Sequence, residues 1–239
     1  MGIKIFADGA DKVGMLEMNK NPLISGFTTN PALLRKAGVT NYKEFALDIL
    51  KEIPDKPISF EVIADDQFEM YRQAMEISSW GKNVYVKIPI TNTKGELMGS
   101  VVEQLLWAGI KLNITAITTI KQVRKILPYI TLPTYRIHSY DNTFLSIFAG
   151  RIADTGVNPL PIVKSALNLI KDTYIELIWA SPREVYNIYQ AEEIGCHAIT
   201  CTPDLIKKYE LLKGKDLTEY SLDTVKMFYN DATEVGYEI

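Results

Sequence analysis

The sequence predicts an α/β protein folded as a single (β/α)8 TIM barrel with an extra C-terminal helix. Eight short apolar runs alternate with amphipathic segments along the first 213 residues, as a chain of βα units requires. Proline repeatedly follows Asn, Ser or Thr where a helix should begin. The Gly-rich turn that an open dinucleotide-binding sheet carries after its first strand is missing. No composition shift or Ser/Gly-rich linker divides the chain, so residues 1–239 are read as one domain, with 1–213 as barrel and 214–239 as helical tail.

The expected strands are 3–8, 24–29, 57–62, 84–90, 112–117, 143–148, 174–180 and 197–201. Asn30-Pro31, Asn158-Pro159, Ser181-Pro182 and Thr202-Pro203 mark helix starts, and Gly38, Gly81, Gly109 and Gly195 fall where helices should stop. Asn41 precedes a helix over 42–53, and Asp65 precedes one that would carry Phe68, Tyr71 and Met75 on one face. Residues 133–142 are too long and aperiodic for an ordinary αβ connection. Beyond the eighth unit, Ser221-Leu222-Asp223 opens a segment with Leu222, Val225 and Phe228 at helical spacing. A closed barrel leaves such a helix no strand to cover, so it either caps the barrel or packs on another subunit, and a subunit contact is expected.

Composition narrows the function. A chain of 239 residues with 47% hydrophobic content can bury a large core, and a net charge of −3 offers no footprint for nucleic acid or an anionic membrane. No apolar run approaches the ~18 residues of a membrane span, and the amino terminus lacks a signal-peptide layout. Cys196 and Cys201 suit a reducing compartment, so a cytoplasmic protein with a small-molecule partner is expected. With His138 and His197 alone, and no CxxC, HExxH or Gly-rich phosphate loop, no metal or cofactor is expected. Chemistry then rests on lysine, carboxylates, amides and hydroxyls.

Val84-Tyr85-Val86-Lys87-Ile88-Pro89-Ile90 places one lysine inside an apolar, β-branched strand. A buried ammonium is costly unless paired, and the neutral amine that burial favours is a nucleophile toward carbonyls. Lys87 is therefore a candidate Schiff-base lysine, the alternative being a structural lysine paired with a carboxylate. Alternation along the strands turns other polar residues toward the same cavity. Asp8 ends strand one, Thr28 and Asn30 end strand two, and Glu61 ends strand three. Asn113 and Thr115 lie in strand five, and Ser146 and Phe148 in strand six. Taken singly, Asn30 and Ser181 are explained as helix caps; together, polar groups on so many strand ends point to a site. Arg151 after strand six, with Ser181 and Arg183 after strand seven, has the charge and fork geometry for a phosphate.

Seven motifs in register complete the pattern: Phe6-Ala7-Asp8, Gly26-Phe27-Thr28-Thr29-Asn30-Pro31, Phe60-Glu61-Val62, Val86-Lys87-Ile88-Pro89, Asn113-Ile114-Thr115, Ser146 to Ile152, and Ala180-Ser181-Pro182-Arg183. They resemble the transaldolase family, specifically the small subfamily that includes the fructose-6-phosphate aldolases. The resemblance implies that Lys87 attacks the C2 carbonyl of a ketose phosphate and carries a dihydroxyacetone unit to an aldose phosphate. It also implies that Asp8 is the acid/base for carbon–carbon cleavage, and that Glu61 and Thr115 hold a water that shuttles protons. Thr28, Asn30, Asn113, Ser146 and Phe148 would contact the three-carbon fragment, and Arg151, Ser181 and Arg183 the phosphate. Glu61 and Phe148 replace the glutamine and tyrosine of the subfamily's aldolases, which favours transfer over release of free dihydroxyacetone. Gly9 stands where the family often has threonine or serine. The resemblance further implies a homo-oligomer, pentamer or decamer, joined by the tail helix. An aldolase and a non-catalytic sugar-phosphate-binding barrel are the alternatives.

Overall fold

The computed structural model describes residues 2–131 and 143–237. Eight parallel strands close in sequential order into a barrel: β1 (Lys4–Asp8), β2 (Ile24–Thr28), β3 (Ile58–Glu61), β4 (Val84–Pro89), β5 (Leu112–Ile117), β6 (Thr143–Ile147), β7 (Ile175–Trp179) and β8 (Ala198–Cys201). The ring closes where Lys4–Ala7 pair with Ala198–Cys201. The expected (β/α)8 barrel with an added C-terminal helix is therefore the observed fold.

One helix follows most strands: α1 (Lys12–Lys20), α4 (Gln67–Ser78), α5 (Gly99–Trp107), α6 (Ile120–Ile130), α9 (Tyr186–Glu193) and α10 (Pro203–Leu212). Two strands are followed by a pair: α2 (Pro31–Lys36) and α3 (Tyr42–Glu52) after β2, and α7 (Ala149–Asp154) and α8 (Leu160–Ile170) after β6. Outward residues such as Ile58, Phe60, Val86, Ile88, Ile114 and Leu145 are fully covered by the helices. These residues join the helices' buried apolar faces in one continuous core that holds the two layers together.

Inside the barrel the lower layer is aromatic. Phe6 meets Phe144 edge to face at 5.6 Å, Tyr85 stacks on Phe144 at 4.5 Å, and Ile178 and Ala198 complete the cluster. Gly26 makes room for this floor, because a Cβ there would lie 3.0 Å from the Phe6 ring. The polar residues of the carboxyl-terminal mouth rest on that plug, which closes the site from below.

Several local expectations are corrected. Asp66, not Asp65, caps α4 by accepting from the Glu69 amide at 3.0 Å, while Asp65 binds the amide and hydroxyl of Thr93. The buried face of α4 is Met70, Ala74 and Ile77, whereas Phe68 is 78% exposed. Both stripes have helical spacing, and only the position of the barrel decides which one is covered. Ser181-Pro182 does not open a helix: Ser181 adopts a left-handed φ of 62°, and α9 starts at Tyr186. Helix α8 starts at Leu160, whose amide donates to the Asn158 side chain. Phe148 lies just past β6, at the start of α7.

The tail helix α11 runs Leu217–Val235, earlier than residue 221, because Asp216 caps it through the amides of Thr218 and Glu219. No residue of α11 is buried; Leu222, Val225 and Phe228 are 52%, 59% and 62% exposed. The aperiodic segment 133–142 lies outside the described residues. No helix among the described residues is long and apolar enough to cross a membrane.

Candidate active site

Lys87 occupies the middle of β4 and is 5% exposed. Its Nζ donates to the Thr29 carbonyl at 2.8 Å and lies 3.2 Å from Glu61 Oε2, the residue directly across the β3–β4 ladder. A buried cation with one carbonyl and one carboxylate at hand is tolerated, and the carboxylate can also take its proton.

Asp8 ends β1 opposite Thr28, whose hydroxyl donates to Asp8 Oδ1 at 2.7 Å and meets Thr200 Oγ1 at 2.6 Å. Burial pushes the Asp8 carboxyl above the usual carboxylate range, against the pull of the Lys87 charge and the Thr28 hydroxyl. Thr115 Oγ1 is buried and has no hydrogen-bond partner among the described residues. Ala116 beside it takes a left-handed φ of 61° at an irregularity in the β5–β6 pairing, which turns the chain at the end of β5.

These residues line one cavity of about 530 Å³ at the carboxyl-terminal mouth. Of the twelve candidate residues, eleven line it: Lys87, Asp8, Glu61, Thr115, Thr28, Asn30, Ser146, Phe148, Arg151, Ser181 and Arg183. Asn113 does not. It is fully enclosed a layer lower, donating to Ser59 Oγ at 3.1 Å and accepting from Ser146 Oγ at 2.7 Å, so it positions Ser146 from beneath. Asn30 both lines the cavity and caps α2 through the Leu33 amide. Thr200 is a lining residue that the sequence reading passed over, although the strand alternation that selects Asp8 also selects it in β8.

The two arginines differ. Arg183 is paired with Asp154 through both Nε and Nη2, which leaves three of its five N–H donors for other partners. Arg151, on α7, lines the cavity and is exposed to it. Gly150 brings α7 against the β7 end, since a Cβ there would sit 1.6 Å from the Ser181 carbonyl oxygen. Gly150→Ala must therefore push α7 away from Ser181. The expected cost is about 3 kcal/mol, seen as a Tm lower by roughly 6–12 °C, with weakened phosphate-dependent binding. An unchanged Tm would show that this contact is not tight.

The family profile described as Transaldolase/Fructose-6-phosphate aldolase matches residues 5–239. The chain belongs to that family. Within it, the chain is 34% identical over 203 residues to a protein named a probable transaldolase from Thermoanaerobacter sp. (strain X514), covering 83% of this chain and 85% of that protein. A second protein so named, from Streptococcus agalactiae serotype V (strain ATCC BAA-611 / 2603 V/R), is 32% identical over 225 residues, with 93% and 95% covered. A crystal structure from Burkholderia cenocepacia J2315 superimposes with a TM-score of 0.53 at 13% identity, covering 94% of both chains, which is likeness of fold alone. For a transaldolase/fructose-6-phosphate aldolase family member, a cavity built around a buried lysine and two carboxylates is the natural candidate for the active site.

Proposed function

We propose that this protein is a class I transaldolase that moves a dihydroxyacetone unit from a ketose phosphate, fructose 6-phosphate or sedoheptulose 7-phosphate, to an aldose phosphate. The observation that carries the reading is Lys87 Nζ, buried at the cavity and 3.2 Å from Glu61. Glu61 takes a proton from the ammonium, and the free amine adds to the C2 carbonyl. Loss of water from the carbinolamine forms the Schiff base. A water between Glu61 and Thr115 relays those protons, and the partnerless Thr115 hydroxyl supports a place for it.

Asp8 then removes the proton from the C4 hydroxyl, the C3–C4 bond breaks, and its electron pair enters the Schiff base to leave an enamine. The aldehyde departs with the phosphate. Attack of the enamine carbon on the acceptor aldehyde, with the proton returned from Asp8, reverses these steps. Asn30 and Ser146, the latter braced by Asn113, suit the hydroxyls of the three-carbon unit, while Arg151, Ser181 and the remaining donors of Arg183 suit the phosphate. Phe148 brings no hydroxyl to protonate the enamine, which favours its persistence until an acceptor arrives.

Product analysis from fructose 6-phosphate, with and without erythrose 4-phosphate, tests the reading. Sedoheptulose 7-phosphate formed only with the acceptor is expected; free dihydroxyacetone without the acceptor would make the protein an aldolase instead.

We also infer a cytoplasmic homo-oligomer of pentameric or decameric type, with α11 as the contact. A 19-residue helix with no buried residue and exposed Leu222, Val225 and Phe228 supports a second copy as its cover. Deleting residues 214–239 should lower the mass found by sedimentation, and a full-length monomer would overturn the inference.

A further inference from the structure

The ladder between β2 and β3 ends one hydrogen bond early. The Phe27 amide donates to Pro57 O at 2.8 Å and the Thr29 amide to Ser59 O at 3.1 Å. In a parallel ladder, the next bond would run from the Glu61 amide to the Thr29 carbonyl. That bond is replaced at both ends. The Thr29 carbonyl accepts from Lys87 Nζ at 2.8 Å, and the Glu61 amide donates to the hydroxyl of Tyr42 at 2.8 Å. The same hydroxyl donates to the Glu61 carbonyl at 3.0 Å, so one side chain satisfies both main-chain groups of Glu61.

We propose that Tyr42 is a positioning residue for the reaction: its hydroxyl holds the β2–β3 ladder open at Glu61, and so leaves the Thr29 carbonyl to Lys87. The proposal rests on Lys87 being the reacting amine. Tyr42 opens α3, outside the barrel wall, and its ring is fixed edge to face against Trp80 at 5.5 Å and Phe60 at 6.2 Å. Asn41 caps that helix through the Glu44 amide and sets where the ring emerges. Burial holds the Tyr42 phenol well above its ordinary range, so it stays protonated and able to donate.

A hydroxyl suits the task better than a strand partner. It donates and accepts at one atom, and the Glu61 main chain needs both. Without it, the Glu61 amide would be left buried and unpaired, or would swing to the Thr29 carbonyl and take the acceptor from Lys87. Either rearrangement also moves the Glu61 carboxylate, which sits 3.2 Å from the amine. The lysine's immediate surroundings are thus governed by a residue that does not line the cavity.

Tyr42→Phe keeps the aromatic cluster and removes only the oxygen. The decisive measurement is trace acetylation of Lys87 with acetic anhydride across a pH series, read by mass spectrometry on the peptide containing it. It needs no turnover. In the variant, the Glu61 amide competes with Lys87 Nζ for the Thr29 carbonyl, and the extent of Lys87 labelling at a given pH should change by about threefold or more. With fructose 6-phosphate and erythrose 4-phosphate, kcat should fall about tenfold while KM stays within about twofold. Trp80→Phe, which loosens the ring packing and keeps the hydroxyl, should lower Tm and leave the Lys87 labelling unchanged. Superimposable labelling curves for Tyr42→Phe and the wild type, or an equal change in Trp80→Phe, would overturn the proposal. Failure of the wild-type enzyme to form a borohydride-trapped adduct would instead overturn the reading of Lys87, and the labelling curves would still judge Tyr42.

Discussion

Lys87→Met is expected to abolish the adduct that borohydride traps between the protein and fructose 6-phosphate, and to lower kcat/KM by about 10⁴- to 10⁶-fold, as loss of a covalent nucleophile does. The fold should survive. Methionine matches the length of the lysine stem and suits a position that is 5% exposed in an otherwise apolar strand. The substitution leaves the Glu61 carboxylate and the Thr29 carbonyl without the amine, and removes the cost of enclosing a cation; these terms oppose, and Tm should stay within about 5 °C of the wild type. Intact-mass measurement after reduction reads the outcome directly. A reduced adduct on the Lys87→Met protein would place the Schiff base on another lysine and end the present assignment.

Asp8→Asn is expected to separate two steps that Lys87→Met removes together. With Lys87 and Glu61 in place the Schiff base still forms, so trapping persists. Without the carboxylate proposed to accept the hydroxyl proton, carbon–carbon cleavage should slow by about 10²- to 10⁴-fold. The same variant should gain stability at neutral pH. Burial raises the Asp8 carboxyl above its unfolded value, an effect only partly offset by the Lys87 charge and the Thr28 hydroxyl, with the Glu61 charge adding to it. A folded value above the unfolded one means that the folded state binds the extra proton. Stability is therefore fully present below the unfolded value of 3.8 and declines as pH rises from there through the raised folded value. Asparagine carries no such penalty, so the wild-type and variant Tm curves should meet near pH 3 and diverge toward neutrality, with the variant higher. Equal curves at pH 7 would show that Asp8 is not penalised by burial, and unaltered turnover would remove it from the proton transfer.

The activity and stability effects at Asp8 have one origin. A carboxyl enclosed in the cavity wall above the aromatic layer resists ionisation, and in the proposed reaction the same enclosure would set it beside the substrate hydroxyl. The hydroxyl of Thr28, itself bonded to that of Thr200, holds it in place, at a cost in buried polar contacts that an apolar barrel would not bear.

The amino-acid sequence by itself determined the barrel, because eight β-branched runs with helical segments between them admit few other closed arrangements. It also determined which side of each strand faces the cavity. Alternation with a period of two put Asp8, Glu61, Lys87 and Thr115 together once the barrel closed. What alternation cannot supply is depth along the barrel axis or a partner distant in sequence, since both follow from strand stagger and from contacts between separate elements. Hence Asn113 faces inward as expected yet lies enclosed beneath Ser146. Arg183 lies at the cavity as expected, on the loop after β7, yet is paired to Asp154 of α7. The helical spacing of Phe68, Tyr71 and Met75 was real, but Met70, Ala74 and Ile77 face the barrel, with Tyr71 partly buried at their edge and Phe68 exposed. Tyr42 and the Thr29 carbonyl left no signal in the chain, because their roles depend on a backbone hydrogen bond that is missing, and such an absence exists only after β2 and β3 have met.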